Sequence, residues 1–186
     1  MIQHTVDSRP ATRAQRFMLY ALSKDKSWYD KELSISEASH QIGILKQEQK
    51  YQKLVRAESY QTIWQEALAA GEQAMISCTS TPMVVQQHTN MLDDSSPVEK
   101  QWFVSGGVCG FAWVNIKPAT AKFSRWLTQH DSNVKPDSYY GGLTYWVYQG
   151  GQSMELKSAF AGAMARCLNH YSKQLGIRVI PMERMD

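Results

Sequence analysis

The half of the chain beyond residue 108 alternates in type, and that alternation most limits what it can fold into. "VCGFAWVNI" (108–116) reads as a strand apolar on both faces, which suits a central position. "PATAKFSRWLTQH" (118–130) follows with helical spacing, Pro118 near its first turn and Phe123, Trp126 and Leu127 turned inward. "LTYWVY" (143–148) is a second strand of high β-propensity. The helix "SMELKSAFAGAMARCLNHYSKQLG" (153–176) is capped by Ser153, striped by Leu156, Phe160, Met164, Leu168, Tyr171 and Leu175, and stopped by Gly176. "IRVIPM" closes the series as a short strand, and Pro181 assigns it to an edge. A β-α-β-α-β order with these faces predicts α+β: a small mixed β-sheet packed against helices.

Helices come first. "PATRAQRFMLYALSKD" enters a helix at Pro10 and Thr12, and "KSWYDKE" is a connecting turn. "LSISEASHQIGIL" gives a second helix capped by Ser34 or Ser36, with Ile35, Ala38, Ile42 and Leu45 on one face. A long helix from residue 47 to about 75 then places Tyr51, Leu54, Val55, Ile63, Trp64, Ala67, Leu68 and Met75 on its apolar side. "CTSTPMVVQQ" (78–87) holds a short strand starting near Pro82, and "HTNMLDDSSPVEK" (88–100) is a polar loop. The division expected is a helical module over 1–46 and an α+β domain over 47–186, a size one core can serve.

Charge is unevenly placed. Residues 1–56 carry ten Lys/Arg against six Asp/Glu, a balance of +4, and residues 57–186 carry ten against eleven, a balance of −1. The basic third, with Arg9, Arg13, Arg16, Lys24 and Lys26, is therefore the first place to expect phosphate contacts. "SYYGGLTYWVY" adds Tyr139, Tyr140, Tyr145, Trp146 and Tyr148 beside a Gly-Gly turn, with Lys135 and Lys117 near in sequence. Such rings stack on bases or anchor a protein partner, although about half of them are needed for a core.

Catalytic chemistry has one candidate. Cys109 as nucleophile, His88 as base and Asp93 or Asp94 as its orienting carboxylate would form a Cys/His hydrolase or acyl-transfer site. A strand cysteine is ordinarily an inert small hydrophobe, and the glycines around it have packing reasons of their own. Gly110 admits a helix or a bulky ring close to the strand, and Gly106–Gly107 turn into it. His88, Asn90, Asp93 and Asp94 are the weaker alternative of a magnesium site, but their spacing matches no calcium loop or zinc motif. "QGGQS" offers an anion a helix N-terminus, without the lysine of a phosphate-binding loop. No cofactor is expected.

Three widely spaced cysteines without a CxxC argue for a reducing compartment. The opening "MIQHTVDSRPATRAQRF" is polar where a secretory leader is apolar, and no run of about 18 apolar residues exists to cross a membrane. The expectation is a cytoplasmic protein.

The stretches "STPMVV", "HTNMLDDSSPVEKQWFVSGGVCGFAWVNIKP", "YYGGLTYWV", "QSMELKSAFAGAMA" and "ERMD", over residues 78–186, resemble an uncharacterised family of hypothetical phage- and plasmid-encoded products. The N-terminal "ATRAQRFMLYALSKD…LSISEASHQIGIL" separately resembles a small helical module, T-x-x-Q…L-T-x-x-E-A-S-x-x-I, appended to nucleic-acid-handling proteins of mobile elements. Neither resemblance carries catalytic residues. Together they imply a non-enzymatic binding protein of a mobile genetic element, acting stoichiometrically on nucleic acid or a host nucleoprotein defence complex. An anti-CRISPR or anti-restriction inhibitor is one such protein. Its partner would be a protein or nucleoprotein complex, or DNA or RNA held through the basic N-terminal third.

Overall fold

The structure is a computed structural model that describes residues 7–186; the first six residues of the expected 1–46 module lie outside them. Among the described residues no helix is long and apolar enough to cross a membrane. The chain divides into two compact units, one ending at Ser59 and one running Tyr60–Asp186. The expected boundary at 46/47 falls inside a helix.

In the first unit, α1 (Arg13–Ser23) begins with a reciprocal cap. The Gln15 amide N–H donates to the Thr12 hydroxyl at 3.2 Å, and the Thr12 N–H donates to Gln15 Oε1 at 2.9 Å. A 3₁₀ turn over Lys26–Tyr29 leads to α2 (Ile35–Ser77), where Ser34 and Glu37 repeat the same cap. The two helices expected over 33–45 and 47–75 are thus one helix of 43 residues, since nothing between Leu45 and Gln47 breaks it. Its apolar stripe is not continuous either. Ile63, Trp64 and Ala67 are buried, whereas Tyr51, Leu54 and Val55, expected on the same inward face, are exposed. Leu19 and Ala38, fully buried, with Ala11, Trp28 and Leu33, form the small core of this unit.

The second unit holds two sheets. Strands β1 (Met83–His88) and β2 (Val98–Val104) make an antiparallel ribbon. The remaining elements are β3 (Gly110–Lys117), α3 (Lys122–His130), β4 (Val134–Pro136), β5 (Leu143–Trp146), α4 (Met154–His170), the single turn α5 (Ser172–Leu175) and β6 (Arg178–Met185). The strands form a four-stranded sheet in the order β4-β5-β3-β6. β2 was not expected, because its first residues, Val98, Glu99 and Lys100, read as the end of a polar loop.

Fold class is α+β, but the sheet is not mixed: every pairing among the described residues is antiparallel. Each helical connection skips a strand. α3 joins β3 to β4 across β5, and α4 joins β5 to β6 across β3, so the strands that run parallel never touch. This β-α-β-β-α-β order with its two split crossovers is the ferredoxin-like arrangement. β3 is central and β6, with Pro181, lies at an edge, as the apolar pattern and the proline require.

Alternation divides the faces. Ala112, Val114 and Ile116 of β3 and Leu143 and Tyr145 of β5 point into a core completed by Phe123, Phe160 and Met164 from the helices and by Ile63, Trp64 and Ala67 of α2. Gly110 allows α4 to approach: a Cβ there would lie 2.9 Å from a side-chain atom of Met154 and 2.7 Å from the Arg184 carbonyl. Pro118 stands in the turn before α3 rather than in its first turn, its carbonyl accepting from the Ala121 N–H and the Ser124 hydroxyl.

Candidate functional site

The opposite face of the four-stranded sheet carries the odd residues of β3: Phe111, Trp113, Asn115 and Lys117. Register puts Trp146 and Met182 beside Trp113, Thr144 and Ile180 beside Asn115, Arg184 beside Phe111 and Arg178 beside Lys117. Lys135 of β4 stands next to Thr144. The helices give their core residues to the other side; on this face Trp113, Asn115 and Thr144 are buried at the β4–β5 loop, while Lys135, Arg178 and Arg184 are exposed around them.

Aromatic rings dominate its middle. Trp113 and Trp146 lie 4.7 Å apart between centroids, tilted by 33°. Tyr140 comes down on Trp113 at 6.1 Å, and Phe111 meets Trp146 edge-on at 6.2 Å. Trp113 is only 5% exposed, so Trp146 and Tyr140, with the 86% exposed Tyr139, are the rings a ligand would reach first. Trp113, Asp137, Tyr139, Tyr140, Trp146 and Arg184 enclose an open concavity of about 350 Å³. The guanidinium of Arg184 is 5.6 Å from the Phe111 ring, within cation–π range.

The loop is fastened by Asp137. Its carboxylate accepts the Thr144 hydroxyl at 2.5 Å and the N–H groups of Tyr139 and Tyr140 at 2.9 and 2.8 Å. Asn115, beneath the loop, donates to the carbonyls of Gly141 (2.9 Å) and Leu143 (3.3 Å). Gly142 makes the close crossing feasible: at φ +82° a Cβ would stand 2.4 Å from the Ile116 carbonyl oxygen. The Thr144 hydroxyl holds the Asp137 carboxyl below its usual value against the opposing effect of burial, with the two N–H groups and then Lys117 adding to it. A depressed carboxyl contributes stability above its unfolded value near 3.9, and that contribution is lost as pH falls through the folded value. Acidification below about pH 4 should therefore release the loop and change tryptophan fluorescence as Tyr140 leaves Trp113. Asp137→Ala should give the released spectrum at neutral pH, and a spectrum like that of the wild type would remove the clamp from the account.

Of the residues singled out by sequence, Lys135, Tyr139 and Tyr140 come together on this face. Arg9, Arg13, Arg16, Lys24 and Lys26 belong to the other unit, where several have local duties. Arg9 pairs with Asp7 at 2.7 Å. Lys24 is the left-handed C-cap of α1, and Lys26 opens the 3₁₀ turn. Arg16 donates from Nη1 to the carbonyls of Trp28, Tyr29 and Lys31. Arg13 is exposed on α1.

The Cys/His set is not assembled by hydrogen bonds. The Cys109 thiol donates to Gln152 Oε1 at 3.5 Å, His88 Nδ1 lies 2.6 Å from the Ser96 carbonyl, and Asp93 accepts from the Ser95 N–H and hydroxyl. Each is engaged by its own neighbours. Among the described residues no three His, Cys, Asp or Glu side chains converge as a metal site, so His88, Asp93 and Asp94 are not gathered into one. The α4 N-terminus is capped by Ser153, and Glu155 in its first turn, which accepts the Thr81 N–H, already sets a carboxylate there.

Phe111, Trp113, Arg178 and Arg184 were not singled out by sequence reasoning as ligand contacts. Alternation identified the face shared by Phe111 and Trp113, but only the register of β6 brings the two arginines to it. No protein-family model, curated protein or solved structure matches the chain, so its functional reading rests on this geometry.

Proposed function

We propose that the chain is a non-enzymatic binding protein that holds single-stranded nucleic acid on the open face of its four-stranded sheet. The observation that carries this reading is the Trp113–Trp146 pair with Tyr140, rimmed by Lys117, Lys135, Arg178 and Arg184. Aromatic rings on an exposed antiparallel sheet stack on bases splayed from a single strand, and surrounding cations neutralise the backbone. Lys117, Lys135, Arg178 and Arg184 outnumber the carboxylates near them, and the oxygens of Asp137 are already occupied by the loop. A duplex hides its base faces and would gain only the phosphate contacts.

Recognition of nucleic acid alone or within a nucleoprotein complex accords with the mobile-element setting that the sequence resemblance implies. Three unpaired cysteines, Cys78, Cys109 and Cys167, suit a reducing cytoplasm.

Fluorescence anisotropy of labelled dodecamers tests the reading. Single-stranded DNA or RNA should bind more tightly than the matching duplex. Trp146→Ala should weaken binding by about 10-fold or more, since stacking contributes about 1–3 kcal/mol per base. Arg184→Glu should weaken it and flatten its salt dependence. Equal affinity for duplex and single strand, or no effect of Trp146→Ala, would overturn the assignment.

A further inference from the structure

The N-terminal part of α2 carries a row of like charges. Lys46, Lys50, Lys53 and Arg56 follow one another at intervals of four, three and three residues. They therefore share a sector of about 120° along about 15 Å of helix. All four are exposed, and among the described residues none of them forms an ion pair. Glu48 and Glu58, the carboxylates of this stretch, lie on the far side of the helix. Gln49, within the row, donates to the Leu22 carbonyl at 2.9 Å. That bond brings the C-terminal end of α1 alongside, with its exposed C-cap Lys24. The carboxylate next to Lys24, that of Asp25, is engaged by the Ser27 N–H and hydroxyl at 2.9 and 2.8 Å.

This row works against the free helix. Residues three or four apart on a helix are neighbours, and like charges on them repel. Here three such pairs come in succession, although a glutamate at either middle position would turn repulsion into attraction. Local conflicts of this kind gather at functional sites, where a ligand relieves them. The relieving ligand is a polyanion.

The rest of the helix surface narrows its chemistry. A helix lying in a membrane surface needs an apolar side free of charge, but Glu48 and Glu58 share their side with the exposed Ile44, Tyr51 and Val55. A single strand offers bases to stack, and the row holds no ring to receive them. A duplex presents about nine phosphates along 15 Å of its axis and needs only cations to neutralise them.

We propose that the row Lys46, Lys50, Lys53 and Arg56, with Lys24 beside it, grips the phosphate backbone of duplex nucleic acid without reading its sequence. It is a contact separate from the sheet face, and it stands or falls independently of the single-strand reading.

Anisotropy of a labelled DNA duplex titrated with the full chain tests it. The wild type should bind with the micromolar affinity of a non-specific contact, more weakly than it binds single strands. Log affinity should fall against log salt with a slope of about −4, since each phosphate neutralised contributes about −0.9. Lys50→Glu combined with Lys53→Glu should weaken duplex binding by about tenfold or more and flatten the slope by about 2. The same double variant should melt higher than the wild type, because its new carboxylates face Lys46 and Arg56. Lys122→Glu combined with Lys173→Glu makes the same change in charge at exposed positions of the other unit, and should leave duplex binding close to that of the wild type. Trp146→Ala should leave it intact as well. No duplex binding at low salt, an equal loss in the two double variants, or a lower melting temperature for Lys50→Glu with Lys53→Glu would overturn the proposal. So would capture of anionic lipid vesicles in place of duplex. Duplex binding that persists while single strands fail to bind would uphold this contact and remove the sheet-face reading alone.

Discussion

Phe160→Ala is expected to cost the Tyr60–Asp186 unit about 3–5 kcal/mol, the range for truncating a fully buried aromatic. Phe160 has no exposed surface, stacks at 6.4 Å and 17° on Tyr145 of β5, and presses its ring against α2 at Gly71. These neighbours come from a sheet strand and a second helix, so neither can relax into the space without moving its whole element. A loss of this size takes a large part of a typical domain stability of about 5–15 kcal/mol. It should lower the melting temperature by about 10 °C or more. Gly71 supplies an internal check. A Cβ there would meet the Phe160 ring at 2.7 Å, so Gly71→Ala should destabilise by about 1–3 kcal/mol although alanine favours the helix by about 1. With Phe160→Ala in place the added methyl enters the vacated space, and the double variant should be more stable than the sum of the single effects requires. Urea unfolding of the four proteins measures the coupling. Additive effects, or a stabilising Gly71→Ala alone, would mean that the ring is not packed on Gly71.

Most elements after residue 108 were legible because each carries a short-range signal; β4 was not, since its three residues Val134–Pro136 sit among Asp, Ser, Asn and Pro that read as loop. β3 is apolar on both faces, Ser153 caps α4, and Pro181 fits only an edge strand. Pairing direction was not legible. Helices between strands suit parallel neighbours as well as the split crossovers found here, and which of these forms depends on long-range packing. β2 went unseen for a related reason: its Glu99, Lys100 and Gln101 run on from a polar loop, and a ribbon with two exposed faces lacks the buried side that marks a strand. The candidate site was half legible. Tyr139, Tyr140 and Lys135 were noticed for their composition, but Arg184 and Arg178 reach the face only through the β3–β6 register, between residues some 60 to 70 positions apart. Net charge pointed to a different region. It drew attention to the basic N-terminal third, where Arg16 directs Nη1 to the backbone carbonyls of Trp28, Tyr29 and Lys31.

Arg16 gives the second large effect, and it separates a structural role from the binding role that charge suggested. Its guanidinium donates to the carbonyls of Trp28 (3.3 Å), Tyr29 (3.0 Å) and Lys31 (2.5 Å), and weakly to Ala11 (3.4 Å). The first three acceptors lie on the segment that joins α1 to α2, so one side chain ties the 3₁₀ turn and its exit to the face of α1. Arg16→Ala should cost about 2–3 kcal/mol, the scale of losing charged hydrogen bonds when the freed carbonyls are partly rehydrated. The core it supports is small, centred on Leu19 and Ala38, so a loss of that size should be felt as local unfolding. Amide exchange should accelerate across residues 11–33 while the Tyr60–Asp186 unit keeps its protection. Arg16→Lys should rescue in part, because one ammonium can serve the three carbonyls that Nη1 alone bonds but loses the Nε contact to Ala11. Arg13→Ala should leave exchange unchanged, since Arg13 is exposed on α1. Unaltered exchange in Arg16→Ala together with a weaker hold on single-stranded nucleic acid would reverse the assignment and return Arg16 to the binding surface.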